Sequence, residues 1–118
     1  MKITKSEQFE NVVSRVGEFL LANFPTPVDF DATVAGYEKV GNADWSKPSQ
    51  FGEPTETKPS ADELFFLSCM QWLHDEAYVR VNQFYTSCDI GVDRVVLTEK
   101  GLVMFGALPP CLKPGFHS

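Results

Sequence analysis

Few residues in this chain have the type and spacing that chemistry would need. Its histidines are His74 and His117, and its cysteines are Cys69, Cys88 and Cys111. Cys69 and His74 stand five residues apart, which puts them on different faces of a helix and rules out a nucleophile–base pair. A catalytic triad needs a nucleophile, a base and a group that orients the base. Neither G-x-S-x-G nor a phosphate-binding P-loop occurs. No C-x-x-C is present, so a zinc site is not expected. Asp29 and Asp31 flank Phe30 and share one face if the segment is extended. Paired carboxylates can do acid–base work, but aspartates close to Pro25 and Pro27 are more commonly turn and cap residues. The expectation is a protein that is not an enzyme and has no cofactor or metal.

The odd, widely spaced cysteines argue against a disulfide framework and for a reducing compartment. Cys69 fits a small core hydrophobe. The first residues, MKITKSEQFENVV, lack the apolar run of a signal peptide, and Leu102 to Leu108 is too short to span a bilayer. These features point to a cytoplasmic location with no membrane partner.

Two segments have clear helical periodicity. After Thr4 and Glu7, at capping-box spacing, Phe9, Val12, Val13, Val16, Phe19, Leu20 and Phe24 recur at helical intervals. Pro25 ends this helix. Gly17 weakens it, so packing must hold it together. Ser60 and Glu63 form a second capping box, opening a helix over Asp62 to Ala77. Phe66, Met70, Leu73 and Ala77 share its central stripe. Phe65, Cys69 and Trp72 flank the stripe on one side and Leu67 on the other, with Ser68, Gln71 and Asp75 opposite. One packing partner would bury less than so wide an apolar arc. The helix is therefore either sandwiched on two sides or lends part of the arc to a partner.

The remaining elements are shorter. Tyr78 to Tyr85 alternates as a strand, with Val79 and Val81 on one face and Arg80, Asn82 and Phe84 on the other. Thr86 to Asp93 reads as a polar hairpin tip and Arg94 to Leu97 as the returning strand. Thr98 can cap a helix from Glu99 to about Leu108, stopped by Pro109-Pro110. Ala32 to Val40 fits a short helix or a strand equally. Gly41 to Pro59 has loop composition, with Trp45 and Phe51 to pin it to the body. The 118 residues fit a single domain, with its core in 4–36 and 59–108, a long loop at 41–59 and an irregular tail at 109–118.

The segments QWLHDEAYVR and VVLTEKGL, joined by a polar hairpin, resemble the winged helix-turn-helix superfamily. Trp72-Leu73, Tyr78-Val79 and Leu97 to Leu102 carry the resemblance, which is also to small uncharacterised bacterial proteins of that layout. It implies an α+β, mostly helical domain with a two-stranded β-hairpin wing. Asp62 to Ala77 would be the recognition helix, Tyr78 to Leu97 the wing, and Lys5 to Phe24 the helix packed behind. Three features depart from the pattern. Ala77 stands where a glycine often ends the helix, so a different ending is expected, because a left-handed cap costs alanine more. No clear second helix lies between Asp31 and Pro59. The recognition helix is acidic.

Winged helices bind DNA or protein, and charge discriminates between the two. The net charge is −6. Lys2, Lys5, Arg15, Lys39, Lys47 and Lys58 precede Pro59, and only Arg80, Arg94, Lys100 and Lys113 follow. The recognition helix carries Asp62, Glu63, Asp75 and Glu76 with no base opposing them, and the wing carries Asp89 and Asp93 beside Arg94. DNA affinity comes largely from neutralising phosphates. A DNA-binding transcriptional regulator is thus the second choice; it would rest on Gln71 reading adenine and on a basic surface assembled from Lys2, Lys5, Arg15 and Arg80. The first choice is a non-enzymatic module for protein–protein interaction or homodimerisation, with Phe65, Ser68, Gln71 and Trp72 as the partner surface. A third class, a small-molecule sensor, would need an apolar pocket between the first helix and the Asp31 to Pro59 segment.

Overall fold

The structure, a computed structural model, describes residues 5–44 and 55–112. Three α-helices pack with a four-stranded antiparallel sheet in an α+β arrangement. In chain order these are α1 (Lys5–Asn23), β1 (Val28–Phe30), a 3-10 turn (Ala32–Ala35), β2 (Asn42–Asp44), β3 (Thr55–Thr57), α2 (Ala61–Asp75), β4 (Val79–Arg80), β5 (Gln83–Tyr85), β6 (Gly91–Leu97) and α3 (Glu99–Met104). Thr4, Trp45 and Phe51 lie outside the described residues.

The apolar periodicity of α1 becomes its buried face, with Val12, Val16 and Leu20 in the core. Gly17 is needed for space: a Cβ there would sit 2.2 Å from the far end of the Phe105 ring. Phe30 ties three elements together, its ring lying edge-on to Phe19 of α1 at 5.2 Å and to Phe66 of α2 at 6.0 Å. The wide arc of α2 is explained mainly by sandwiching. Phe66, Leu67, Cys69, Met70 and Leu73 are all buried in one core with residues of α1, the 3-10 turn and β4 to β6. Ala77, placed on that stripe by periodicity, lies outside the helix and is exposed.

Strand β6 is central. It pairs with β1 on one side and with β4 and β5 on the other, so the hairpin belongs to a larger sheet and is no two-stranded wing standing alone. Both hairpin strands slip by one residue at the same level. Val79 and Val81 face the core, Asn82 and Gln83 are exposed, and the inward position resumes at Phe84. Opposite them Leu97 and Val95 are buried, Arg94 is exposed, and Val92 is buried again. Phe84, expected on the outer face, therefore packs against the core with its ring 5.5 Å from His74. Arg94 absorbs the kink in a left-handed conformation, φ 51°. Asp93, expected in the hairpin tip, sits within β6, which begins at Gly91. The tip itself folds inward, with Cys88 and Ile90 buried where a polar turn was expected.

The segment expected to be a loop from Gly41 to Pro59 is partly a two-stranded ribbon. Asn42 pairs with Thr57, Ala43 with Glu56 and Asp44 with Thr55. Its composition hid the strands because a short ribbon needs backbone pairing more than an apolar face.

α2 does end in a left-handed residue, despite the alanine. Ala77 has φ 63°, its N–H donates to His74 O (3.0 Å), and the Tyr78 N–H donates to Leu73 O (2.9 Å). These are the two bonds of a Schellman ending. The Thr98 hydroxyl donates to Ala77 O at 2.6 Å and fixes the turn from outside. Gly106 (φ 66°) closes α3 with the same pair of bonds, which is why α3 stops at Met104, short of the expected Leu108. Because a Cβ in the left-handed region is costly and Ala77 buries nothing, Ala77→Gly is expected to stabilise the fold by about 1 kcal/mol. Urea denaturation should show a higher midpoint with an unchanged slope.

Candidate interaction surface

The four predicted surface residues of α2 lie in different settings. Trp72 is 43% exposed, and its indole contacts two rings. Phe9 of α1 meets it edge-on at 5.1 Å, and Tyr78 stacks on it at 5.6 Å with 24° between planes. Gln71 and Ser68 are exposed beside it, and the Ser68 hydroxyl donates to Leu64 O at 3.1 Å. Phe65 is half-buried and packs against the core, with the Lys5 ammonium 4.9 Å above its ring. Leu64, one helical turn before Ser68, is exposed.

Beyond Tyr78 the surface continues onto α3. The Lys100 ammonium lies 4.5 Å over the Tyr78 ring and donates to Glu76 O at 2.8 Å. Val103 and Met104, three and four residues further on, share that face of α3 and are exposed. Phe9, Tyr78, Lys100, Val103 and Met104 are not marked by the sequence as parts of a partner surface. Phe9 reads as an ordinary core position of α1 and Tyr78 as a strand start; only the tertiary fold brings both rings to Trp72.

The predicted wing residues do not form one site. Asp89 pairs with Lys39 at 3.2 Å, which ties the hairpin tip to the segment before the ribbon. Asp93 accepts from the Asn82 amide at 2.9 Å, and Asp29 accepts the Arg94 backbone N–H at 2.8 Å. That backbone bond, the Asp93 side chain and the Arg94 charge hold the Asp29 carboxyl below the usual range. Asp31 instead caps the 3-10 turn by accepting from the backbone N–H and hydroxyl of Thr33. The two aspartates thus have separate partners, Asp29 at the kink of β6 and Asp31 at the 3-10 turn.

Glu63 is not a surface acid. It is 1% exposed, and its Oε1 accepts the backbone N–H groups of Gly41 (2.9 Å), Ser60 (3.0 Å) and Val40 (3.2 Å). Burial alone would push this carboxyl up, but the hydrogen bonds outweigh it and hold it below the ordinary value. The acidic surface of α2 is therefore Asp62, Asp75 and Glu76.

Cys69 is buried, and burial pushes its thiol up to about 11, which suits an inert core residue. Cys88 is buried too, whereas Cys111 is exposed. A disulfide reagent applied to the native protein is expected to titrate one thiol rapidly and the other two only on unfolding.

The groove between α1 and the segment after the 3-10 turn, where a sensor would need an apolar pocket, is lined among the described residues by Glu7, Gln8, Asn11 and Tyr37. Among the described residues no group of three or more His, Cys, Asp or Glu side chains is arranged to hold a metal ion, and no helix is long and apolar enough to cross a membrane. No protein-family model matches the chain, and no curated protein or solved structure matches it.

Proposed function

We propose that this protein is a winged-helix-like, non-enzymatic binding module that self-associates through the strip Phe9–Trp72–Tyr78. Trp72 carries the reading: a large aromatic that is nearly half exposed yet in contact with two other rings. An anchor ordered before docking loses little entropy on binding, and aromatics dominate interface hot spots. A second copy of the chain suits the strip because both charge signs occur on it. Lys100 lies over the Tyr78 ring, while Asp75 and Glu76 follow Trp72 on α2. A two-fold arrangement can then set lysine against carboxylate.

The winged-helix part of the reading is supported by the chain order, with α1 packed on α2 and α2 running directly into the hairpin. Its departures are the 3-10 turn and ribbon in place of a second helix. DNA binding is supported less. Lys5 begins α1, Arg15 lies mid-helix, and Arg80 shares a cavity with Phe24 just beyond the far end of that helix. These cations are strung along about 27 Å and make no compact phosphate-binding patch.

Sedimentation velocity over a concentration series provides the test. The wild type is expected to dimerise, and Trp72→Glu to weaken the dimer at least ~30-fold, as loss of a hot spot worth about 2 kcal/mol implies. The circular dichroism spectrum should be unchanged. Trp72 is a cleaner probe than Phe65, whose truncation would also disturb the core. A wild type that stays monomeric, or a variant that dimerises equally well, rejects the proposal.

A further inference from the structure

We infer that the cavity on the outer face of the hairpin binds the carboxylate of a small, largely apolar organic acid. The cavity has a volume of about 560 Å³ and lies between β4, β6, the Phe24 to Pro27 turn and α3. That volume is within the range of small-molecule sites. Its position follows from strand pairing: Arg80 lies opposite Val96, and both line the cavity together with Asn82 and Arg94. Arg94 stands two residues before Val96 on β6, so Arg80 and Arg94 are diagonal neighbours across the strand pair.

The charge is concentrated here. Only four basic residues follow Pro59 in an acidic chain, and two of them share this cavity. Glu99 is the one acid in the lining. The Arg80 guanidinium forms no hydrogen bond or ion pair with another described residue. Arg94 lies in the field of Asp29, whose carboxylate is already engaged by the Arg94 backbone N–H. Two guanidinium forks can hold a carboxylate through paired hydrogen bonds. The rest of the wall is chiefly apolar, including Phe24, Val96, Leu102 and Leu112. A bare inorganic anion would leave that wall in water; an acid with an alkyl or aryl body would cover it.

The kinked hairpin places Arg94 in this wall. The left-handed backbone at Arg94 is unusual for a non-glycine residue, and irregular strand pairs commonly re-aim a side chain toward a site.

The experiment is calorimetric titration of the full chain with octanoate and with 3-phenylpropionate, set against octanamide and inorganic phosphate, with amide chemical shifts recorded in parallel. The acids are expected to bind and to shift Arg80, Val96 and Leu102. Octanamide and phosphate should each bind at least ~10-fold more weakly, about what losing one charge-assisted contact implies. Arg80→Gln should weaken octanoate by a similar factor while leaving the urea midpoint unchanged, because Arg80 holds no structural partner. Arg94→Lys, which keeps the charge and loses the fork, should weaken it as well. The assignment is overturned if neither acid binds, if octanamide binds as well as octanoate, if phosphate binds as well as the acids, or if Arg80→Gln binds octanoate normally.

Discussion

Glu63→Ala is expected to destabilise the fold by about 4 kcal/mol, because each buried N–H left without an acceptor costs about 1–3 kcal/mol and three depend on this one oxygen. That is a large part of the roughly 5–15 kcal/mol that keeps a domain folded. The three donors lie at the two feet of the ribbon, Val40 and Gly41 on entry and Ser60 on exit. A single carboxylate on the first turn of α2 therefore clamps both ends of the excursion. Glu63→Gln keeps an acceptor but loses the charge, and a smaller loss is expected. The folded carboxyl is held below its ordinary value, so its contribution is complete above about pH 4.5. It is lost as pH falls through the depressed folded value. Urea midpoints measured from neutral to acid pH should fall below that point in the wild type and less steeply in Glu63→Gln. Asp29, also depressed, keeps part of the acid limb in both.

Gly41→Ala should be nearly as damaging, at about 3 kcal/mol or more, for a steric reason. A Cβ at Gly41 would lie 1.9 Å from the Cys88 carbonyl oxygen and 2.9 Å from the Pro59 Cα. Both obstacles are backbone, so no side-chain rotation relieves them. The close approach is where the hairpin tip, the ribbon and the start of α2 meet, and Lys39–Asp89 bridges the same elements nearby. Amide exchange should accelerate together at Gly41, Ile90 and Glu63 in Gly41→Ala. Equal melting temperatures for this variant and the wild type would contradict the packing described.

Local rules made much of this architecture legible. Apolar period and capping chemistry placed α1 and α2 within a residue or two, and Thr98 does cap α3 by accepting the Gly101 N–H. What they missed depends on contacts between distant residues. The Ser60–Glu63 capping box could be read, but its reach to Val40 and Gly41 is set by how the chain returns after more than twenty residues. Unbroken alternation would turn Phe84 outward; it turns inward because Arg94 adopts a conformation that nothing in its type foretells. The rule that glycine ends a helix was misleading at Ala77, where Thr98 and the two terminal bonds offset the strain. At the surface, Trp72 is a candidate anchor from sequence, but the rings beside it come from α1 and from the residue preceding β4. The cavity was beyond reach because it needs Phe24, Arg80 and Leu102, far apart in sequence, to meet.

The self-association account is tested most directly by isotope-filtered nuclear Overhauser measurements on a mixture of labelled and unlabelled chains. With only two tryptophans in the sequence, the Trp72 indole N–H can be assigned by a single substitution. The account predicts intermolecular cross-peaks from the Trp72 indole to Phe9, Tyr78 or the α3 residues Val103 and Met104 of the second copy. A mixture with no intermolecular cross-peaks, or with cross-peaks confined to the sheet or the ribbon, would contradict it.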